Sequence, residues 1–365
     1  MMMKVNQRLL ASFDWVWFFA LIGLCAAGLM EIWSTTGGTG LNSYFGRQML
    51  YLGIALVVFL ILLYFDYHIF SDNIPLLYAA GILALTLVLI VGRTVHSNRS
   101  WLCVGGIAVQ PSELVKILVI IAVARYFAES ERDHLQLNEL IIGALIAFVP
   151  MALVVFQGDL GTAITFVPIY VALAVLGGLR RRHILVFLIA GAIALPAGWM
   201  MLKDYQKSRI QTVLNPSTDP QKVGYQTIQS KIAVGSGRFL GKGFRQGSQG
   251  QLGFLPARHT DFVFSAWAEE RGFAGSIALL GLFLVVCLRL LKGAREAKDR
   301  LGTMICVGVL ALLWFHLTIN VGMALGLMPV AGIPLPFVSA GGSSLISSFA
   351  AMGICMNIWM RRYVN

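Results

Sequence analysis

The amino-acid sequence predicts an all-α polytopic membrane protein with about ten transmembrane helices, N-in/C-in, and one large extracytoplasmic loop between the seventh and eighth helices. Of the 365 residues, 58% are hydrophobic and 12% are charged, and the mean hydropathy is +0.77. Ordinary soluble domains carry about 25% charged residues. The composition therefore excludes a soluble enzyme and a disordered chain. The apolar runs are also too long for the strands of an outer-membrane barrel, which have about ten residues each.

The apolar runs define the predicted spans, because a helix needs roughly 20 residues to cross a bilayer. We expect a single membrane domain over residues 1–365 that contains the loop 203–264. The spans are predicted near 15–33, 48–65, 74–92, 112–128, 139–156, 162–178, 183–202, 265–291, 302–326 and 341–360.

Basic residues in the short loops predict the orientation, because they concentrate on the cytoplasmic side of membrane proteins. With the N-terminus inside, the cytoplasmic side collects Lys4, Arg8, Arg180, Arg181, Arg182, Arg289, Lys292, Arg295, Lys298, Arg300, Arg361 and Arg362, and the outer short loops hold only Arg47, Arg93 and Arg99. This asymmetry favours N-in/C-in, which requires an even number of spans.

The loop 203–264 breaks this pattern. It carries nine basic and three acidic residues, so six of the net charge of +11 lie in one predicted outer segment. Long loops are exempt from the positive-inside rule, and a loop of this length is more often functional than idle.

The loop ends in Arg258-His259-Thr260-Asp261, where the chain re-enters the bilayer. A carboxylate at that depth is a functional candidate, since ionisable groups there are costly to keep, and burial would make Asp261 a better proton acceptor. The structural alternative is an aspartate that caps the next helix. His259 is a candidate second base or metal ligand, although a loop histidine more often makes an ordinary hydrogen bond. Arg258 suits an anion.

Residues 235–243 are rich in glycine and include Arg238 and Lys242. Glycine allows close backbone approach and exposed N–H groups, so the segment suits the phosphate of a lipid-linked substrate. The alternative is a loop whose charges are merely solvated.

Polar residues also lie within or at the ends of three predicted spans. Glu113 and Lys116 stand at i, i+3 and can pair on one helix face, so we interpret them as a structural intramembrane pair. Asp159 is read as a helix cap. Ser343 and Ser344 follow the breaker Pro334-Leu335-Pro336, and their hydroxyls could line a polar cavity beside a broken or re-entrant helix.

These motifs, in this order, resemble the SEDS family (shape, elongation, division and sporulation) over nearly the whole chain, and the elongation branch more than the division branch. The motifs are Gln110-Pro111-Ser112-Glu113, Asp159-Leu160-Gly161-Thr162, Asn215-Pro216 with Asp219-Pro220, Gly224-Tyr225, Gln229 to Gly237, Gly241-Lys242-Gly243, Leu255-Pro256 through Glu270, Pro334-Leu335-Pro336 and Gly341 to Ser344. The chain departs from the family pattern at Gly158, Arg238, Ala257 and Ala340, which affects local groove shape.

The resemblance implies a peptidoglycan glycosyltransferase that polymerises lipid II at the outer face of the bacterial cytoplasmic membrane. Asp261 would be the base. Cationic candidates for the lipid pyrophosphate are Arg258, Lys242, Arg209 and Lys231, with His259, Ser343 and Ser344 as further substrate contacts. A divalent cation, Mg²⁺ or Mn²⁺, would bridge the pyrophosphate. The expected partners are a class B penicillin-binding protein (the transpeptidase), other elongation-complex proteins, lipid II and membrane lipids; a nucleic-acid partner is not expected.

Three other functions stay open at this stage. The chain could be a lipid-precursor flippase or transporter, for which Glu113 and Lys116 are compatible intramembrane charges. It could be a division polymerase of the same family. It could also be a non-catalytic scaffold that anchors a synthase. The metal, if any, is not fixed by the sequence.

Overall fold

The structure is a computed structural model. It describes residues 12–40, 42–95, 98–104, 107–130, 134–180, 182–186 and 223–363, with isolated positions between 189 and 212. The helices are α1 (Trp15–Thr36), α2 (Tyr44–Tyr64), α3 (Tyr67–Asp72), α4 (Ile74–Val91), α5 (Pro111–Ala128), α6 (Leu137–Phe156), α7 (Leu160–Ile164), α8 (Phe166–Leu176), α9 (Val223–Ser236), α10 (Ser248–Gln251), α11 (Val263–Glu296), α12 (Arg300–Ala324) and α13 (Gly342–Arg361). The predicted helical architecture is confirmed in this coarse form.

Seven of these helices are long and apolar enough to cross a membrane: α1, α2, α4, α6, α11, α12 and α13. α5 is 18 residues long, and Glu113, Lys116 and Arg125 lower its apolar character. The predicted sixth span is divided at Thr165 into α7 and α8, whose combined range is a shorter apolar helix, Leu160–Leu176. The predicted seventh span, 183–202, lies largely outside the described residues.

A small antiparallel sheet corrects the all-α prediction. Its strands β1 (Arg93–Val95), β2 (Asn98–Val104) and β3 (Ile107–Val109) are ordered β1-β2-β3 between α4 and α5. The segment contains no long apolar run, so its sequence predicts a loop. Two helices inside the loop 203–264, α9 and α10, were also not predicted.

Aspartate side chains begin several helices by accepting a backbone N–H, as expected for N-caps. Asp14 accepts from Trp17 at 3.0 Å, Asp159 from Thr162 at 3.0 Å, and Asp299 from Gly302 at 2.7 Å. The C-terminal helix α13 is the most buried of the seven candidate spans and packs against α2, α5, α11 and α12. It therefore forms the centre of the bundle.

Helix α11 is broken near its beginning. Gly272 has φ 65° and ψ −162°, which interrupts the helical path inside a 34-residue segment. Glycine adopts this conformation without a Cβ penalty. The break separates the buried residues 263–270 from the long membrane-spanning part of α11.

Candidate functional site

The segment 255–262, which we call the site segment, forms a tight turn at the start of α11. Ala257 has φ +50°, and its carbonyl accepts the N–H groups of Thr260 at 3.1 Å and Phe262 at 3.2 Å. The turn gathers Arg258, His259 and Asp261 at one end of the helix. The N-cap of α11 is Phe262, without a side-chain cap. The capping role considered for Asp261 is therefore not the one that the structure gives it.

Within the site segment, Asp261 lies beside the loop that precedes α13. Its carboxylate faces Gly332, where an added methyl group would lie 3.9 Å from Oδ2. Its backbone carbonyl accepts a hydrogen bond from Asn320 Nδ2 at 3.0 Å. The residue is half-buried, which suits a carboxylate that must be reached by a substrate and yet held in place.

An open cleft lies beside the site segment. Its volume is about 360 Å³, and its lining comprises Thr36, Tyr44, Gly253, Leu255, Pro256, Ala257, Arg258 and His259. The rings of Tyr44 and His259 approach to 4.4 Å between centroids at an angle of 46°. Tyr44 keeps 55% of its surface exposed. The cleft thus combines an aromatic face with a guanidinium group.

The electrostatics of the cleft are positive. In the described part of the chain, no acidic side chain forms an ion pair with Arg258. Burial lowers the pKa of His259, and the adjacent charge of Arg258 lowers it further. His259 is therefore a neutral hydrogen-bonding group near neutral pH, and Arg258 supplies the charge, which is the arrangement expected for an anion site.

The glycine-rich part of the loop has a different role from the predicted phosphate cradle. Residues 237–243, which we call the glycine segment, pack into the break of α11. A methyl group on Gly237 would lie 2.0 Å from the carbonyl oxygen of Ala268, and one on Gly241 would lie 2.2 Å from that of Glu270. The N–H groups of residues 242 and 243 donate to the carbonyls of residues 269 and 270, at 3.0 Å each. These N–H groups are occupied by protein rather than directed at a ligand.

Lys242 belongs to the same packed region. Its Nζ lies 2.6 Å from Glu269 Oε1 and 2.8 Å from Ser248 Oγ. Glu269 is fully buried and also accepts the N–H groups of Gln249 at 3.0 Å and Gly250 at 3.1 Å. In this structure Lys242 neutralises a buried carboxylate, and its predicted contact with pyrophosphate stays a prediction.

The pair predicted on α5 is present. Lys116 Nζ lies 2.8 Å from Glu113 Oε1, and both side chains are buried. Lys116 also approaches His316 Nε2 at 3.4 Å, and His316 Nδ1 lies 3.2 Å from the carbonyl oxygen of Pro334. A buried charged pair needs such additional partners. The network joins α5 and α12 to the loop before α13.

The other predicted residues are dispersed. Ser343 Oγ accepts the N–H of Gln110 at 3.0 Å, so this hydroxyl ties α13 to the start of α5, and Ser344 is the next residue of the helix. Lys231 lies on α9, with its side chain across Gly326. Arg209 lies outside the described residues. Of the cations predicted to bind pyrophosphate, Arg258 is the one that shares the turn of residues 257–262 with Asp261 among the described residues.

Three residues beside the site were not predicted. In the sequence, Tyr44 resembles an ordinary interfacial aromatic residue near the end of a span. Gln48 lies at the first position of that predicted span and gives no separate signal. Asn320 carried the clearest signal, since a polar amide inside an apolar run marks a functional or packing site. Among the described residues, no group of three or more His, Cys, Asp or Glu side chains is placed to hold a metal ion.

The sequence is similar to proteins of known activity. The profile of the cell cycle protein family that groups FtsW, RodA and SpoVE matches residues 7–364. The chain is 37% identical over 346 residues to the peptidoglycan glycosyltransferase MrdB of Escherichia coli K12, covering 94% of this chain and 92% of that protein. It is 35% identical over 317 residues to stage V sporulation protein E of Bacillus subtilis, covering 86% of each.

The fold is similar to solved structures as well. One is a chain from a study of how a peptidoglycan synthase complex coordinates polymerisation and crosslinking, with a TM-score of 0.85, 31% identity, and coverage of 97% of this chain and 99% of that one. Another is the rod shape determining protein RodA of Thermus thermophilus, with a TM-score of 0.73, 28% identity, and coverage of 97% and 98%.

Proposed function

The chain belongs to the FtsW, RodA and SpoVE family of cell cycle proteins, and from that premise we propose that it is a peptidoglycan glycosyltransferase. It polymerises lipid II into β-1,4-linked glycan strands and releases undecaprenyl pyrophosphate. The observation that carries the proposal is the site segment itself: a half-buried aspartate three residues from a guanidinium that has no acidic partner among the described residues, beside an open cleft.

The reaction assigns a task to each of these groups. The 4-hydroxyl of the acceptor sugar attacks the anomeric carbon of the donor, and its proton passes to the Asp261 carboxylate. The bond between the anomeric carbon and the phosphate oxygen breaks, and its electron pair leaves with the lipid pyrophosphate. Arg258 stabilises the negative charge that develops there, as donors do at other sites of developing charge. Attack opposite the leaving group inverts an α-phosphate into a β-glycoside.

The cleft also accounts for recognition of the sugar. The exposed Tyr44 ring offers an apolar face of the kind on which pyranose rings stack, and neutral His259 can hydrogen-bond to hydroxyl or acetamido groups. Lys231 and Arg209 remain proposed contacts of the pyrophosphate. Lys242 is a weaker candidate because Glu269 neutralises it.

A divalent cation, Mg²⁺ or Mn²⁺, is proposed to arrive with the pyrophosphate. Oxygen-rich polyphosphates bind these ions, commonly with one or two carboxylates and water. Asp261 is the nearby carboxylate of the site segment, so the described residues fit an ion carried by substrate better than a resident one. Chelation with EDTA should stop polymerisation and added Mg²⁺ should restore it; full activity in EDTA would remove the cation from the proposal.

We place the enzyme in the bacterial cytoplasmic membrane with ten spans, both termini inside, and the loop 203–264 with its active site outside. The asymmetry of basic residues supports this orientation. A class B penicillin-binding protein and other elongation proteins are the proposed partners. The similarity to a chain of a peptidoglycan synthase complex supports the first. We assign the chain to elongation, as for the relatives named MrdB and RodA, rather than to division.

The test is polymerisation of fluorescent lipid II by the purified protein with its penicillin-binding partner, read as glycan strands on a gel. Asp261→Asn should lower the rate about 10²–10⁴-fold, the usual contribution of a general base, without lowering the unfolding temperature. The matched control is Asp72→Asn, an exposed aspartate at the end of α3, which should polymerise normally. A wild-type rate in Asp261→Asn would exclude the assigned mechanism.

A further inference from the structure

The backbone of residues 259–261 is held by other parts of the chain at three consecutive carbonyl groups. The donors come from α12 and from the segment 339–340, which are 59 to 81 positions away in the sequence. We propose that Asn320 and Ser339 are positioning residues that fix the reacting geometry of Asp261. The inference rests on the proposed function, because it assumes that Asp261 takes the proton.

Asn320 connects Asp261 to the loop before α13. Its Nδ2 donates to the Asp261 carbonyl oxygen at 3.0 Å and to the Ile333 carbonyl oxygen at 2.9 Å. The side chain is fully buried, and its Oδ1 has no hydrogen-bond partner among the residues that the structure describes. Buried polar atoms are normally paired. Since the Oδ1 of this amide is not paired with a described residue, we infer that the contribution of Asn320 is its two N–H groups. A single side chain thereby sets the distance between Asp261 and the loop that it faces.

Ser339 makes the second connection. Its Oγ accepts the N–H of Leu335 at 2.8 Å and donates to the Thr260 carbonyl oxygen at 2.6 Å. A hydroxyl can do both at once, since it has one hydrogen and two lone pairs. Ser339 is buried. The main-chain N–H of Ala340 completes the set by donating to the His259 carbonyl oxygen at 2.8 Å.

Gln48 anchors this frame to α2. Its Nε2 donates to the Ser339 carbonyl oxygen at 3.3 Å, and its Oε1 accepts the N–H of Gly341 at 3.1 Å. The frame therefore joins α2, α12 and the start of α13 around one peptide segment. Such support matters because a displacement of about 1 Å at a reacting group can lower a rate about 100-fold.

The experiment compares two buried asparagines whose Nδ2 groups both donate to backbone carbonyls, at different places in the bundle. Asn357 on α13 donates its Nδ2 to the carbonyl oxygens of Leu62, Leu63 and Phe65 at 3.1, 2.9 and 2.7 Å. Asn320→Ala and Asn357→Ala both remove an amide from carbonyls in the bundle. Of the two substitutions, only Asn320→Ala removes the hydrogen bond to the backbone carbonyl of Asp261.

We expect Asn320→Ala to lower kcat for lipid II polymerisation about 10- to 100-fold, the effect of a displaced reacting group, with KM within about twofold of the wild type. Asn357→Ala should lower the unfolding temperature at least as much, because its Oδ1 also accepts from the Tyr67 N–H at 3.3 Å and from Arg361 Nε at 3.0 Å, and should keep kcat within about threefold. Equal kcat values in the two folded variants would overturn the inference. So would an Asn320→Ala loss that appears only in KM.

Ser339 gives an independent test if Asn320→Ala does not fold. Ser339→Ala removes one oxygen and should lower kcat about tenfold, while Ser339→Thr, which keeps a hydroxyl, should recover most of the rate. Full activity in Ser339→Ala would contradict the proposal. Asp261→Asn, measured in parallel, separates the two claims: if it is active, the assignment of the base fails, and if it is inactive while Asn320→Ala and Ser339→Ala are fully active, only the positioning fails.

Discussion

The glycine segment and the site segment pack against the same end of α11, but they use their charges in opposite ways. In the glycine segment, Lys242 contacts buried Glu269 at 2.6 Å, and the backbone N–H groups donate to the helix. In the site segment, Arg258 has no acidic partner among the described residues and lines an open cleft. One segment packs into the helix break, and the other lines an open cleft, where we propose that the substrate binds.

The difference shows how to distinguish structural cations from ligand-binding cations in a basic loop. Glycine and lysine in sequence suit a phosphate site, but the same composition also allows a backbone to enter a helix break and a lysine to neutralise a buried acid. A cation that already forms an ion pair with a protein carboxylate has a structural role, whereas a cation without such a partner can bind a phosphate. Removing one cation from each segment should therefore change different measured quantities.

The largest effect should come from Lys242→Met. The substitution leaves Glu269 fully buried without its cation, and breaking a buried pair by removing one partner costs about 3 kcal/mol of unfolding free energy. We expect a clearly lower unfolding temperature, while KM for lipid II stays near the wild-type value. The control is Lys292→Met, a half-exposed lysine 3.7 Å from Glu296. An unchanged unfolding temperature with a raised KM would instead make Lys242 a substrate cation.

Arg258→Gln should show the opposite behaviour. The loss of a guanidinium at the developing pyrophosphate charge should lower kcat/KM about 30-fold, or roughly 2 kcal/mol, with the unfolding temperature close to that of the wild type. Arg245→Gln, an exposed arginine in the same loop, is the matched control and should keep its activity. A stable Arg258→Gln enzyme with normal kcat/KM would contradict the proposed role of Arg258 at the pyrophosphate and, with it, the functional difference between the two segments.

Tyr44→Ala tests the aromatic side of the cleft. Loss of a ring contact of this kind is worth about 1 kcal/mol, so KM for lipid II should rise about fivefold with little change in kcat. Tyr44→Phe should behave as the wild type if the ring face is what binds. Tyr64→Ala, 71% exposed at the other end of α2, should not change KM. Equal KM values for Tyr44→Ala and Tyr64→Ala would exclude a sugar platform.

The smallest effect concerns pH. Because the pKa of folded His259 is lowered by burial and by Arg258, the unfolded chain binds this proton first as the pH falls. Stability from this group is complete above the unfolded pKa of about 6.5 and decreases as the pH falls towards the folded pKa. His259→Gln should therefore lose less stability than the wild type between pH 7 and pH 5.5, measured by thermal unfolding.

His68 is the control for this prediction, because its pKa is shifted in the opposite direction. Burial alone would lower its pKa, but hydrogen bonds and charges of Asp66 and Asp299 outweigh that effect and raise it. Its stabilisation is complete below the unfolded pKa and is lost as the pH rises through the folded pKa. His68→Gln should accordingly make the protein more sensitive to acid. The same direction of change in both variants would contradict the assigned environments.

The membrane helices could be predicted because long apolar runs are local signals. The break at Gly272 could not, since it depends on the glycine segment approaching from more than thirty positions earlier. The sheet β1-β2-β3 was missed for a related reason. Its pairing is a contact between short segments without an apolar run.

The site was predictable to the extent that it is contiguous in sequence. Arg258, His259 and Asp261 share one turn, so a single motif indicated all three. Asn320 and Ser339 approach that turn from distant positions, and no spacing rule connects them to it. Only the polarity of Asn320 within an apolar run was visible beforehand.

The three supported carbonyls have a consequence for how the protein is made. Their donors lie at positions 320, 339 and 340, and Gln48 requires the start of α13 to complete its own contacts. Synthesis proceeds from the N-terminus, so a nascent chain that stops before residue 339 contains Asp261 without the frame that orients it. On the proposed roles, we expect a chain truncated before residue 339 to lack polymerase activity even though it contains Asp261.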